Sequence, residues 1–103
     1  MKFLVIWELQ VLQMETIQAV LRMPDYAKRV MDQGKLAARY HIVGKHGGAW
    51  MYDVDSNEEL EQLLASAPVY NFARYEVYPL AEMRSPTEVM QAAAGTVGRR
   101  GKK

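Results

Sequence analysis

The segment Leu36-Ala37-Ala38-Arg39-Tyr40-His41-Ile42-Val43 sets a guanidinium and an imidazole two residues apart in a run of strand-forming types. On a strand, that spacing puts Arg39 and His41 on one face. The turn Gly44-Lys45-His46-Gly47-Gly48 leads into a second strand-like run at 49–54, AWMYDV. A two-residue turn at 46–47 or 47–48 sets odd positions of the first run against even positions of the second. Trp50, Tyr52 and Val54 then join Arg39 and His41 on a shared face. A cation, an imidazole, an indole and a phenol together read as the lining of a pocket rather than a core.

An imidazole titrates near pH ~6.5, so His41 can both take and return a proton at neutrality. The competing reading is a buried histidine bonded to Tyr52 or to a carbonyl. Arg39 can clamp a carboxylate through its planar fork, or pair with Glu76 on another strand. Tyr52 and Arg39 are the candidate donors to a developing enolate oxygen. The catalytic candidates are therefore His41, Tyr52 and Arg39. Trp50 and the turn residues Lys45 and His46 are candidates for contact with a substrate. Glu76 lies mid-strand among apolar neighbours, where a carboxylate must be paired or hold its proton, and it joins that group. Tyr70, in the run Tyr70-Asn71-Phe72, is placed to cover the end of the barrel. His41 and His46 have no matching carboxylate cluster, so no metal is expected. The glycine-rich turn lacks the G-K-[ST] ending and strand–loop–helix setting of a phosphate loop, and no nucleotide is expected.

These side chains need a scaffold. KFLVIWEL at 2–9 reads as a strand apolar on both faces. Residues 14–33 read as a helix with Ile17, Val20, Leu21, Tyr26, Ala27, Val30 and Met31 inward. Pro24 either kinks that helix or begins a second piece, and Gly34 closes it. Strands at 36–43 and 49–54 follow, then the capping box Ser56-Asn57-Glu58-Glu59 opening a helix to about Ser66. After a loop at 67–72, ARYEVYPL at 73–80 is the fourth strand, and Ser85-Pro86-Thr87-Glu88 starts a short helix ending near Gly95. The order β-α-β-β-α-β is the ferredoxin-like split unit of the α+β class. Residues 1–83 form that domain, 84–95 a helical extension and 96–103 a disordered basic tail.

At 103 residues the chain holds one domain with a thin core. Both helices fall on one sheet face, and a second copy covering the other gives a dimeric α+β barrel. The space between the two pressed sheets is expected to hold the imidazole and phenol. Thirteen basic and twelve acidic residues are too balanced for a nucleic-acid binder built on charge. The absence of cysteine excludes disulfides, thiolate nucleophiles and cysteine-ligated zinc. The opening apolar run is interrupted by Glu8 and Gln10, which fits neither a signal peptide nor a membrane span. The expected setting is the cytoplasm.

From Gly34 onward the chain resembles the muconolactone isomerase family. The resemblance rests on G-K-L-A-A-R-Y-H-I-V-G at 34–44, M-Y-D-V at 51–54, S-N-E-E-L at 56–60, A-P-V-Y at 67–70, Y-E-V at 75–77, Leu80 and R-S-P at 84–86. It implies a ferredoxin-like subunit, dimers able to assemble into larger rings, and cofactor-free movement of a double bond in an unsaturated lactone. Three departures stand out, the first being Arg84 at a position where the family usually has histidine. His41 occupies a position where the family usually has arginine, and Ala19–Pro24 is mostly apolar where the family's first helix is richly charged. The apolar helix points to a bulkier, less charged ligand, such as an aromatic or polyketide-like ring. A cofactor-independent isomerase of a cyclic carbonyl compound leads. A polyketide-type cyclase, a cofactor-free monooxygenase acting on an aromatic substrate, and a non-catalytic ligand-binding dimer stay open beside it.

Overall fold

The computed structural model describes residues 1–83 and 85–101. Its elements are β1 (Lys2–Leu9), α1 (Met14–Leu21), α2 (Met23–Asp32), β2 (Leu36–His41), β3 (Gly47–Asp53), α3 (Asn57–Ala65), β4 (Ala73–Leu80) and α4 (Pro86–Gly101). The four strands form one sheet in the order β2-β3-β1-β4, with every neighbouring pair antiparallel. This is the expected ferredoxin-like α+β subunit, with its first helix in two pieces. Pro24 stands in the first turn of α2, where a missing N–H costs nothing, and the chain bends at Arg22. Gly34 takes a left-handed φ of 74° that ends the helical layer, a conformation costly for any residue with a side chain.

Strand alternation divides β1 cleanly. Phe3, Val5, Trp7 and Leu9 are buried against the helices, while Leu4 and Ile6 on the other face are half-buried. The core joins these residues to Tyr26, Ala27 and Val30 of α2, Trp50 and Tyr52 of β3, and Leu60 and Leu64 of α3. Helix α1 meets the core through the small side chains Thr16 and Ala19. Ile17, Leu21 and Met31 were expected inward but are 42%, 72% and 44% exposed. The break at Arg22 resets the helical phase, so one apolar stripe cannot serve both pieces.

Polar contacts cap the helices and tie α2 to the sheet. The Tyr26 hydroxyl donates to the Leu63 carbonyl at 2.6 Å and lies 3.1 Å from the Tyr52 hydroxyl. Each phenol has one proton, so Tyr52 is the donor in the second bond. Ser56 caps α3 by accepting from the Glu59 N–H at 3.1 Å. The reciprocal contact reaches one residue further back than expected, to the Asp55 N–H at 3.0 Å, and Glu59 also pairs with Lys35. Helix α4, capped by Ser85, runs past the expected stop at Gly95 to Gly101. The alanine run 92–94, of the best helix-forming type, carries the helix through the glycine. Arg84 and residues 102–103 lie outside the described residues. Among the described residues no helix is long and apolar enough to cross a membrane.

Burial raises the Tyr26 and Tyr52 phenols above their usual value of 10.0. The fold therefore binds those protons more tightly than the unfolded chain does. The resulting stability is complete below about pH 10 and drains away as pH rises above it, where the unfolded chain ionises first. Urea unfolding followed by circular dichroism is expected to show this alkaline loss, and Tyr26→Phe/Tyr52→Phe to flatten it. At neutral pH, Tyr26→Phe strands the buried Tyr52 hydroxyl and is expected to cost about 1–3 kcal/mol in the same measurement.

Candidate active site

The hairpin follows the expected parity. Arg39 pairs with Trp50 and His41 with Gly48 across β2 and β3. The connection is longer than a two-residue turn, since residues 42–46 lie between the strands and Gly44 takes a φ of 83°. A register shift between Leu36 and Ala38 sets Leu36 opposite Tyr52. Arg39, His41 and Trp50 thus lie on the helix-covered face, the first two on the edge strand β2 and Trp50 on its neighbour β3.

A cavity of about 530 Å³ opens there, between the hairpin end of the sheet and the junction of α1 with α2. Trp7, Trp50, Gly47 and Gly48 form its floor, and Arg39, His41 and His46 stand on the hairpin side. Leu12, Ile17, Val20, Leu21, Met23 and Pro24 make the opposite wall. The chamber lies inside one subunit, beneath its own helices. The expectation that it would be trapped between two pressed sheets is corrected by the sidedness of β2 and β3, whose functional face is the one the helices cover.

The floor is rigid and aromatic. Trp50 meets Trp7 edge to face at 5.8 Å between ring centroids and stacks on Tyr26 at 6.3 Å. Its indole fits because its neighbours have no side chains. A Cβ on Gly48 would fall 2.5 Å from Trp50 Nε1, and one on Gly47 would fall 1.9 Å from the Trp7 carbonyl oxygen. The Arg39 guanidinium carbon lies 5.9 Å from the Trp50 ring centroid, a cation–π contact that aims the cation over the floor. Among the described residues Arg39 makes no ion pair, and neither histidine makes a side-chain hydrogen bond. His41 is exposed at the cavity and is not a satisfied core residue.

The other sequence candidates separate. Tyr52 is 2% exposed, does not line the cavity and is committed to Tyr26, so it belongs to the core and is no donor to a substrate. Glu76 pairs in register with Ile6 on the helix-free face, where it accepts a short hydrogen bond from the Tyr78 hydroxyl at 2.5 Å. It can reach neither Arg39 nor the cavity. Lys45 turns to the same face and pairs with Glu8 at 3.5 Å. Tyr70 packs on Tyr75 and donates to Glu61 at the β4 side, away from the chamber. Four candidates are brought together: Arg39, His41, His46 and Trp50.

Sequence reasoning missed Trp7 and the α1 wall. Ile17 and Leu21 were assigned to the core by helical period. The signal was present as a surplus of aliphatics over Leu12–Leu21, more than one face of a short helix can bury. No Asp or Glu lines the cavity, so its charged groups are all basic. Among the described residues no group of three or more His, Asp or Glu side chains is arranged to hold a metal.

Comparison with known proteins bears on the same elements. The chain matches the family described as Muconolactone delta-isomerase over residues 1–86, a span that contains every strand and both walls of the cavity. It is 33% identical to the Muconolactone Delta-isomerase of Cupriavidus pinatubonensis over 57 residues, 55% of this chain and 62% of that protein. It is 34% identical to the Acinetobacter baylyi protein of the same name over 64 residues, 62% of this chain and 65% of that one. The alignments thus span a little under two thirds of these relatives' length. Among solved structures, a muconolactone isomerase superposes with a TM-score of 0.74 at 24% identity, covering 82% of this chain and 93% of that one. A 5-chloro-2-hydroxyhydroquinone dehydrochlorinase from Burkholderia phenoliruptrix, solved with 2,5-dihydroxybenzoquinone, gives 0.63 at 12% identity and covers 81% and 96%. At those identities the two structures attest the fold, while the match over residues 1–86 carries the assignment: this chain belongs to the muconolactone isomerase family.

Proposed function

We propose that this protein is a cofactor-independent isomerase that shifts a proton, and with it a double bond, in an unsaturated lactone or related cyclic carbonyl compound. The observation that carries this reading is His41 standing unpaired beside Arg39 at an aromatic-floored cavity whose wall holds no carboxylate. Family membership and the names of the curated relatives support the same chemistry over cyclisation or oxygenation.

The steps follow from the residues. Neutral His41 removes an acidic proton from a carbon conjugated with the carbonyl. The electron pair moves to the carbonyl oxygen, where Arg39, held over Trp50, donates hydrogen bonds to the enolate. The imidazolium then returns the proton at the far end of the conjugated system. Atoms and charge balance within the substrate, so the reaction needs no redox partner. His46, on the hairpin side with His41, supplies a second donor for an anionic substituent. Tyr52 has no part in this scheme.

The active form is a homodimer, able to build larger rings, joined through the helix-free sheet face. Leu4 and Ile6 are only half-buried there, and Tyr40, Tyr78 and Leu80 are 65%, 45% and 41% exposed. A continuous apolar face of this kind is what a second copy's sheet covers. A cytoplasmic setting accords with a chain that has no cysteines.

Replacing His41 with alanine is expected to lower kcat on muconolactone by about 10²–10⁴-fold with an unchanged circular dichroism spectrum. Tyr52→Phe is expected to turn over at the wild-type rate. Wild-type turnover by His41→Ala would remove the imidazole from the mechanism. In sedimentation equilibrium the protein is expected at twice its 11.8 kDa chain mass or a multiple of it. Ile6→Asp is expected to shift it towards the single chain, and a monomeric wild-type protein would rule out the sheet-to-sheet assembly.

A further inference from the structure

Resting on the isomerase reading, we propose that the cavity takes a substrate with an anionic head and an extended apolar body: a cyclic carbonyl carboxylate bearing an alkyl or aryl side chain. The bare lactone alone would leave much of the site unused. The two ends of the chamber differ in kind. The hairpin end offers Arg39, His41 and His46 with no carboxylate to neutralise them, which selects an anion. The far end is aliphatic, formed by Leu12, Ile17 and Leu21.

At the α1–α2 junction the backbone N–H groups have little to offer a polar group. The Arg22 N–H is taken by the Ala19 carbonyl at 3.1 Å and the Tyr26 N–H by the Arg22 carbonyl at 3.3 Å, while Pro24 has no N–H at all. A second charged or hydroxylated arm of a ligand would find no N–H partner at that junction. An apolar arm gains instead. Leu12, Ile17 and Leu21 are 45%, 42% and 72% exposed, although α1 already meets the core through Thr16 and Ala19. Covering those side chains removes aliphatic surface from water, worth roughly fourfold in affinity for each methylene so buried. A cavity of about 530 Å³ lies in the range, about 300–1,000 Å³, that encloses ligands larger than a single small ring.

Two measurements separate this proposal from the isomerase reading beneath it. In the first, KM is compared for muconolactone and for the same lactone carrying a hexyl group on its ring. The substituted lactone is expected to show a KM lower by roughly tenfold or more, and Leu21→Asn is expected to erase most of that difference. Equal or better handling of muconolactone would overturn the proposal and leave the isomerase intact. In the second, calorimetry compares butyrate, decanoate and decanol as probes. Decanoate is expected to bind most tightly, with butyrate losing the apolar wall and decanol losing the Arg39 end, a loss that Arg39→Gln reproduces for decanoate. If neither lactone is isomerised but decanoate is still preferred, the isomerase reading fails and the ligand class stands. Affinity independent of chain length would overturn the ligand class whatever the turnover.

Discussion

The two-phenol relay from Tyr52 through Tyr26 to the Leu63 carbonyl is the constraint on which the rest of the subunit depends. It ties β3, α2 and the end of α3 together at a point that water does not reach, where a lost partner is costly. Tyr26 stacks on Trp50, so the same bond that anchors the helices also sets the height of the cavity floor. Trp50 in turn carries the Arg39 guanidinium. A chain of contacts therefore runs from the best-buried hydroxyls to the cation above the cavity floor. The relay is rigid because each proton has one destination, and it needs no charge to work.

The division of polar residues between the two sheet faces explains the separation of structure from chemistry. On the helix-free side, Glu8 answers Lys45, and Glu76 accepts from Tyr78. On the helix side, the basic residues at the hairpin have no such partners among the described residues, and the carboxylates stay away from them. The charge at that end of the cavity has not been spent on ion pairs among the described residues. Membership of the muconolactone isomerase family places this arrangement on a known scaffold.

Much of the fold was legible in the sequence because its signals are local. β1 and β4 fall at 2–9 and 73–80 as read, and the Ser56 cap and the Gly34 stop act where their residue types predict. Parity was legible too, since Arg39, His41 and Trp50 share a face whatever the length of the turn. Which face they share was not. That depends on where the helices pack, a tertiary choice which a strand apolar on both sides, like β1, leaves open. The same ambiguity misplaced Glu76 and Lys45, and it put the chamber between subunits rather than beneath the helices. Tyr52 was read as a site residue because alternation cannot distinguish a phenol at a cavity from one a few ångströms deeper, bonded to Tyr26. Ile17 and Leu21 were misread for another reason: periodicity counts apolar residues without knowing that the helix breaks at Arg22.

Helix α1 joins the core through Thr16, Ala19 and part of Val20, and gives Ile17 and Leu21 to the cavity wall and its rim. Changes at such exposed positions generally alter stability by no more than about 0.5 kcal/mol in either direction. The wall can therefore drift through many sequences without endangering the fold, whereas the aromatic floor and the phenol relay cannot. Natural variation in this lineage should accumulate on one short helix, reshaping the cavity by neutral wandering followed by selection while the hairpin and its aromatic floor stay fixed.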